Sequence, residues 1–327
     1  MLRRHKIGII GAGDIGLNLA EVLALYNYNI TVYNRLHLEN GVPSSYWLAK
    51  QGFIMDLNDS LQIPSCGTVK LTSNFDDLTD LDIIVITAGA KRSSPEETRE
   101  ELAIKNAKII ESFVEVAITN PKSIILIISN PVDFLTQYFI EQVVARSKLT
   151  LDTVSKRIFG VSYIDTMRLR NIVKEVLSPR IPNILQSYVE GIAIGEHGPS
   201  MVPLMSHVKI DGKDIRNIAT EEEIEQIFNQ TVLRGNDIIK LTGMSSVTGP
   251  AHAAFFMIHQ ILNQLKTDLT CSVWDGKRCI GKNVVFYKGH FDSIEPTSLT
   301  EKEQILLQKS ENALDMQYSK LKSLISN

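Results

Sequence analysis

Cysteine is scarce in this chain. Only Cys66, Cys271 and Cys279 occur in 327 residues, and no two of them form a C-x-x-C pair. An odd, scattered set excludes the disulfide framework of a small secreted fold and the usual zinc-binding pairs. A reducing, cytoplasmic setting is expected. Long apolar runs are missing as well. No stretch approaches the roughly 20 residues that a membrane span requires. The basic lead Leu2-Arg3-Arg4-His5-Lys6 is followed only by Ile7-Gly8-Ile9-Ile10 before glycines and Asp14 intervene. It reads as the approach to a buried strand, not as a secretory leader. An excess of one charge is also absent. A formal net charge of −3 offers nothing to attract nucleic acid or an anionic membrane. There is no internal repeat, no low-complexity segment and no long linker. No Cys/His cluster has ligand spacing, so no metal is expected.

What is present has the pattern of a globular α/β chain. Apolar, β-branched runs recur at Ile7–Ile10, Ile30–Tyr33, Val69–Thr72, Ile83–Thr87 and Ile124–Ile128. Near-continuous strands of this kind suit a parallel sheet covered on both faces. Helical patterns lie between them, at Asp14–Leu25, Arg99–Ile118 and Asp133–Ala145, as a doubly wound fold requires. Near residue 160 the pattern changes. A helix at Ile164–Leu177 leads into a strand-rich stretch, Ile184–Ile194. Long helices follow at Glu221–Lys240 and Ser246–Leu265, then short strands at Leu269–Trp274 and Asn283–Tyr287. A final amphipathic helix spans Thr300–Ile325, with Leu306, Leu307, Leu314, Leu321 and Leu324 on its apolar side. The expected division is a dinucleotide-binding part, 1–160, and an α+β substrate-binding and catalytic part, 161–327, packed tightly together.

Gly11-Ala12-Gly13-Asp14-Ile15-Gly16 follows the first strand and opens a helix. This is G-x-G-x-x-G in the context that gives it meaning. The first glycine permits a tight turn, the second lets backbone approach a pyrophosphate, and the third lets helix and strand pack closely. The helix N-terminus then presents free N–H groups to the anion. A Rossmann-type domain for NAD or NADP is expected. At the end of the second strand, where an acidic residue would meet the ribose hydroxyls of NAD, the chain has Asn34 and Arg35. Asn34 does not repel a 2′-phosphate and Arg35 can pair with one, which leans towards NADP. Alternatively, Asn34 bonds the ribose of NAD and Arg35 is a solvated surface charge.

Four more motifs come in order: Thr87-Ala88-Gly89-Ala90, with a polar loop running on to Arg99; Ser129-Asn130-Pro131-Val132-Asp133; Asp165-Thr166-Met167-Arg168; and Gly195-Glu196-His197-Gly198. Thr87, Ala88 and Gly89 close the fourth strand and are expected beside the cofactor. Together the motifs supply what oxidation of a 2-hydroxy acid needs. A neutral imidazole, His197, takes the hydroxyl proton. A carboxylate, Asp165, orients it. A planar guanidinium, Arg168, holds the substrate carboxylate through two bonds. Asp165 and Arg168 stand i, i+3, so one helix face presents both. Arg99 is expected to polarise the substrate carbonyl on closure of the loop before it. Asn130 ends a strand where open α/β sheets bind ligands. Singly, each has an ordinary reading: a histidine in a turn, a surface ion pair, an Asn-Pro turn. His252 and His259, seven residues apart, read as helix-packing neighbours.

This ordered set resembles the lactate/malate dehydrogenase family along essentially the whole chain. The resemblance implies that His197 and Asp165 form the proton-transfer pair, that Arg168 anchors the carboxylate and that Arg99 is the lid arginine. It implies that Asn130 contacts substrate and the nicotinamide side, and that Ser245 lines the substrate pocket. Homodimers or homotetramers are implied too. In such enzymes a lid residue shortly after T-A-G selects the substrate. Counted from Gly89 that place holds Arg92, which implies malate and oxaloacetate. Counted back from Arg99 it holds Ser93, because the loop is one residue longer than usual, and the adjacent Lys91 is another source of the cation. Lactate or a larger monocarboxylate is the alternative substrate. The stretch Leu36–Lys50 is also longer than usual, on the adenosine side; Pro43-Ser44-Ser45 gives it ordinary turn chemistry. Two other classes compete: an NAD-dependent glycosidase of related plan, which would need a metal site, and a non-catalytic dinucleotide-binding protein.

Overall fold

The computed structural model describes residues 5–62, 66–90, 97–264 and 267–326. Its centre is a sheet of nine strands. Six are parallel: Lys6–Ile10 (β1), Asn29–Tyr33 (β2), Thr68–Thr72 (β3), Ile83–Ile86 (β4), Ile124–Ile127 (β5) and Ile158–Gly160 (β6). They lie in the order β3-β2-β1-β4-β5-β6, that of a doubly wound dinucleotide fold. Three antiparallel strands, Thr267–Trp274 (β7), Cys279–Tyr287 (β8) and His290–Ile294 (β9), continue the same sheet beyond β6, joined where Ser272 faces Gly160. The second half of the chain therefore extends the first half's sheet. β6 and β9 were not anticipated. With three residues, Ile158-Phe159-Gly160 is too short to carry a periodic signal, and β9 is half exposed and polar.

Both faces of the parallel strands are buried, and successive side chains alternate between two cores. Ile7, Ile9, Ile83, Val85, Ile124 and Leu126 pack on one side with helices Asp14–Leu25 (α1) and, further along the chain, Thr248–Leu262. Ile10, Ile84, Ile86, Ile125 and Ile127 pack on the other side. They meet Arg99–Glu111, Val114–Thr119 and the largely buried Val132–Arg146 there. In chain order after α1 the helices are Ser45–Ser60 (α2), Arg99–Glu111 (α3), Val114–Thr119 (α4), Val132–Arg146 (α5), Leu151–Ser155 (α6), Tyr163–Leu177 (α7), Glu221–Thr242 (α8), Thr248–Leu262 (α9) and Glu301–Ser326 (α10).

Several expectations are corrected here. Leu36–Lys50 is no plain loop: Leu38–Glu39 and Val42–Pro43 pair as a small hairpin, and Ser44 caps α2, its hydroxyl accepting from Trp47 N at 3.3 Å. The single helix expected over Arg99–Ile118 is two. Ser112 and Phe113 tighten to i−3 bonding, Phe113 N donating to Ile110 O, and the Phe113 ring turns into the core. Ile184–Ile194 opens as a 3₁₀ turn, Pro182–Gln186. Only Val189–Glu190 and Ala193–Ile194 are extended in strands, with Gly191 between them. On α10, Leu314 and Leu321 are buried and Leu306 and Leu307 half-buried, but Leu324 is exposed near the chain end. His252 does not pack: it is exposed on α9. His259, one face-repeat later, is half-buried, and its Nδ1 lies 2.9 Å from Tyr28 Oη.

Arg157, just before β6, is a buried cation with no carboxylate partner among the described residues. It is 6% exposed. Its Nη2 donates to Ala117 O at 2.9 Å and its Nη1 to Asn120 O at 3.3 Å. These carbonyls end α4, where a helix leaves acceptors unsatisfied and favours a positive charge. Burial pulls the guanidinium pKa down, so the site carries a real desolvation cost. Arg157→Leu is expected to orphan both carbonyls and destabilise the fold by about 2–4 kcal/mol, read as a lower urea midpoint with unchanged slope. An unchanged midpoint would show that the carbonyls find other donors.

Candidate active site

The order of the parallel strands reverses between β1 and β4, and a crevice opens at their carboxyl ends. The glycine turn sits there. Gly11 has φ +118°, and a Cβ on it would lie 2.7 Å from Thr87 Oγ1. A Cβ on Gly16 would lie 2.0 Å from Gly11 O, so α1 can approach the strand only without a side chain. Gly13 differs: a Cβ there would meet nothing within 4 Å. The space beside it is open, and α1 has no side-chain cap. Free N–H groups facing open space at a helix N-terminus fit the pyrophosphate of a dinucleotide. Asp14 is exposed in the first turn, and Ile15 packs against the core. Asn34 leaves the end of β2 and accepts from Ala12 N at 3.3 Å, so it is part of the turn itself. Arg35 beside it is exposed.

The ends of β4 and β5 are tied to each other. Thr87 Oγ1 donates to Gly11 O at 3.0 Å, and Ser129 Oγ donates to Ala88 O at 2.6 Å. Asn106, buried on α3, accepts from Ala90 N at 2.7 Å and donates through Nδ2 to Asn130 O at 2.8 Å. One carboxamide thus spans both loops and stands against Gly89. The side chain of Asn130 is exposed at the mouth of the crevice, and its Oδ1 accepts from Val132 N.

His197, Asp165 and Arg168 come together. Asp165 and Arg168 lie one turn apart on α7, and Arg168 Nη1 donates to Asp165 Oδ1 at 3.2 Å. His197 Nδ1 is 2.6 Å from Asp165 Oδ2. The Asp165 side chain is 4% exposed, whereas His197 keeps 18% of its surface open. Burial lowers the pKa of the imidazole, Asp165 and Asp133 raise it, Arg168 opposes them, and the net shift is upward. Arg168 Nε is buried and has no partner among the described residues.

The loop carrying His197 is held from three sides. Gly195 exchanges both backbone bonds with Gly281 of β8, each 2.9 Å. Gly195 has φ +87°, and a Cβ there would strike Ser310 Oγ at 2.7 Å. Ser310 on α10, fully buried, accepts from Glu196 N at 2.7 Å. Asp133, on the first turn of α5, accepts from His197 N at 2.8 Å. Ser310 and Asn106 were not singled out from the sequence, and Asp133 was noted there as the end of the Ser129–Asp133 motif, without a role. Asp133 and Asn106 left a signal, a polar residue among the buried positions of a helix: Asn106 between Ala103 and Ala107, Asp133 between Val132 and Phe134.

Other expected site residues are not joined to this cluster. Arg99 opens α3, after a Thr98/Glu101 capping box, and is exposed; no hydrogen bond among the described residues links it to His197 or Arg168. Ser245 is exposed in the connection between α8 and α9. The first turn of α9, just after it, passes close to α7, since a Cβ on Gly249 would lie 2.4 Å from Ile164 Cδ1. Arg92, with Lys91 and Ser93, lies outside the described residues. Among the described residues no group of three or more His, Cys, Asp or Glu side chains could hold a metal ion, and no helix is long and apolar enough to cross a membrane.

Comparison with known proteins identifies the family and the fold. Residues 5–150 match the family model described as lactate/malate dehydrogenase, NAD binding domain. Residues 163–325 match lactate/malate dehydrogenase, alpha/beta C-terminal domain. Malate dehydrogenase 2 of Aquifex aeolicus (strain VF5) is 30% identical over 323 residues, 94% of this chain and 91% of that protein. Malate dehydrogenase of Aliarcobacter butzleri (strain RM4018) is 33% identical over 275 residues, 83% of this chain and 81% of that one. The crystal structure of Cryptosporidium parvum malate dehydrogenase superposes with a TM-score of 0.83 at 28% identity, covering 98% of this chain and all of the other. The chain belongs to the lactate/malate dehydrogenase family, and with it to the NAD-dependent oxidoreductases.

Proposed function

We propose that the chain interconverts malate and oxaloacetate, with His197 as its acid–base. One observation carries the reading. His197 Nδ1 is committed to buried Asp165, which leaves Nε2 as the proton-exchanging atom, beside a guanidinium whose buried Nε lacks a partner among the described residues. NAD, when bound at the glycine turn, supplies the hydride acceptor. His197 Nε2 takes the hydroxyl proton, and Asp165 stabilises the imidazolium. Arg168 spends Nη1 on Asp165 and keeps Nε for a carboxylate oxygen of the substrate. Arg99, Asn130 and Ser245 complete the pocket in this reading, and Arg92 pairs with the second carboxylate. The names of the relatives favour malate. Lactate or a larger monocarboxylate is the alternative should Ser93 occupy the selecting place. NAD is the cofactor, and Arg35, exposed beside Asn34, admits NADP as well. A homodimer or homotetramer belongs to the same reading, and α2 exposes Tyr46, Leu48, Phe53 and Met55 to a partner copy.

The deciding assay follows NADH and NADPH oxidation with oxaloacetate, pyruvate and a larger 2-oxo acid at matched concentrations. Oxaloacetate with NADH is expected to give the highest kcat/KM, with measurable NADPH turnover. Arg92→Gln should lower the oxaloacetate-to-pyruvate ratio by about 10–100-fold, the value of a charged hydrogen bond. A wild-type preference for pyruvate would replace the substrate while keeping the mechanism.

Two variants test the roles. Malate oxidation needs neutral His197, so its kcat/KM should fall as pH drops through the raised His197 pKa. Oxaloacetate reduction needs the imidazolium and should fall as pH rises through the same value. His197→Ala should remove this shared limb and lower kcat by roughly 10²–10⁴-fold, with NADH binding retained. Turnover near wild type would reject His197 as the base. Arg168→Lys keeps the charge but loses the planar fork. It should raise the KM for oxaloacetate and cut kcat/KM by at least about 10-fold; an unchanged KM would reject Arg168 as the anchor.

A further inference from the structure

His197 faces a second carboxylate besides Asp165. Asp133 lies on α5, 4% exposed, and accepts the backbone N–H of His197 at 2.8 Å. Its other oxygen, Oδ1, and the Ser272 hydroxyl that acts on it are both buried, and neither has a hydrogen-bond partner among the described residues. The groups facing it are Ser272 on β7, Cys279 on β8, and His197 and Glu196 on the catalytic loop. His197 is the only member of this set that can carry a positive charge. Glu196 is turned the other way, its Oε2 accepting from Ser200 N and Oγ.

A neutral side chain could hold one backbone N–H equally well. A buried acid with an unsatisfied oxygen is a costly way to do so. The cost has a counterpart only where positive charge forms, which on the reading above is the imidazolium of His197. We propose that Asp133 is a positioning residue for His197, fixing its backbone and adding a second negative charge that favours the protonated ring. The proposal rests on His197 being the acid–base, but its main readout needs no turnover. The electrostatics point the same way. Burial raises the Asp133 pKa to about 6 against the pull of Ser272 and the His197 N–H, while Asp133 itself raises that of His197. Because the folded Asp133 binds its proton more tightly than the unfolded chain does, its contribution to stability is fully present at low pH. That contribution is lost as pH rises through about 6.

The test uses the full chain and Asp133→Asn, which keeps shape and removes charge. The ring of His197 is titrated by NMR, its signal identified by its loss in His197→Gln. In Asp133→Asn the midpoint is expected to fall by at least about 0.5 pH unit, part of the shift an opposite charge produces nearby. Thermal stability at pH 8 should equal or exceed that of the wild type, an advantage that disappears at pH 5. Ser272→Ala is the second variant, for use should Asp133→Asn not fold. Removing that hydroxyl takes a polar group away from the buried Asp133 carboxylate and disfavours its charge, so the His197 midpoint should again fall. An unchanged midpoint in either folded variant overturns the proposal and leaves Asp133 an ordinary packing residue. If the midpoint falls but His197→Ala retains turnover, the acid–base assignment fails while the coupling of Asp133 to His197 stands.

Discussion

The bond between His197 Nδ1 and Asp165 Oδ2, 2.6 Å long and almost closed to solvent, sets the demands that the rest of the molecule meets. It joins residues from two elements, a loop and the first turn of α7. The bond fixes the tautomer, because a carboxylate only accepts and Nδ1 must then carry hydrogen. The exchangeable position is thereby Nε2. Helix geometry adds Arg168 one turn beyond Asp165, so the oriented imidazole and the guanidinium arrive as one rigid unit.

A loop can meet such a tolerance only if its backbone is held. Gly281, Ser310 and Asp133 do this from a strand, the last helix and a helix of the parallel half. That explains why β7 and β8 prolong the nucleotide-binding sheet. The strand that steadies Gly195 continues the sheet that carries the glycine turn, so the His197 loop and the glycine turn share one frame.

Much of this was legible from residue order. The five apolar runs are strands, α1 begins and ends where the pattern placed it, and the D-x-x-R and G-E-H-G motifs converge. The motifs are legible because their spacing is physical: i, i+3 on a helix, glycine where φ is positive. What escaped was set by tertiary contact. Nothing local marks Asp133 as the acceptor for a backbone N–H 64 residues away, or Ser310 as the reason position 195 must be glycine. β6 escaped because three residues show no period, and α2 because its apolar residues are largely exposed. The leaning of Asn34-Arg35 towards NADP came from two side chains considered alone. In the fold, Asn34 spends its oxygen on Ala12 N and steadies the turn, so its identity answers to the glycine loop as well as to the ribose, and the matched family model is that of an NAD-binding domain.

Arg99 shows how local capping and distant packing combine. The sequence placed it beyond a polar loop and made its approach to substrate a movement of that loop. In the fold it opens α3, behind the reciprocal Thr98/Glu101 box. About two turns further on, Asn106 fastens the same helix to Ala90 and Asn130. From the opposite side Lys320 of α10 pairs with Glu100 at 2.7 Å. The backbone of Arg99 is thus tied to the carboxyl ends of β4 and β5 and to the helix that clamps His197. On the proposed reading, the reach of its guanidinium towards a substrate carbonyl is therefore carried by its own long side chain, on a base held in register with the crevice.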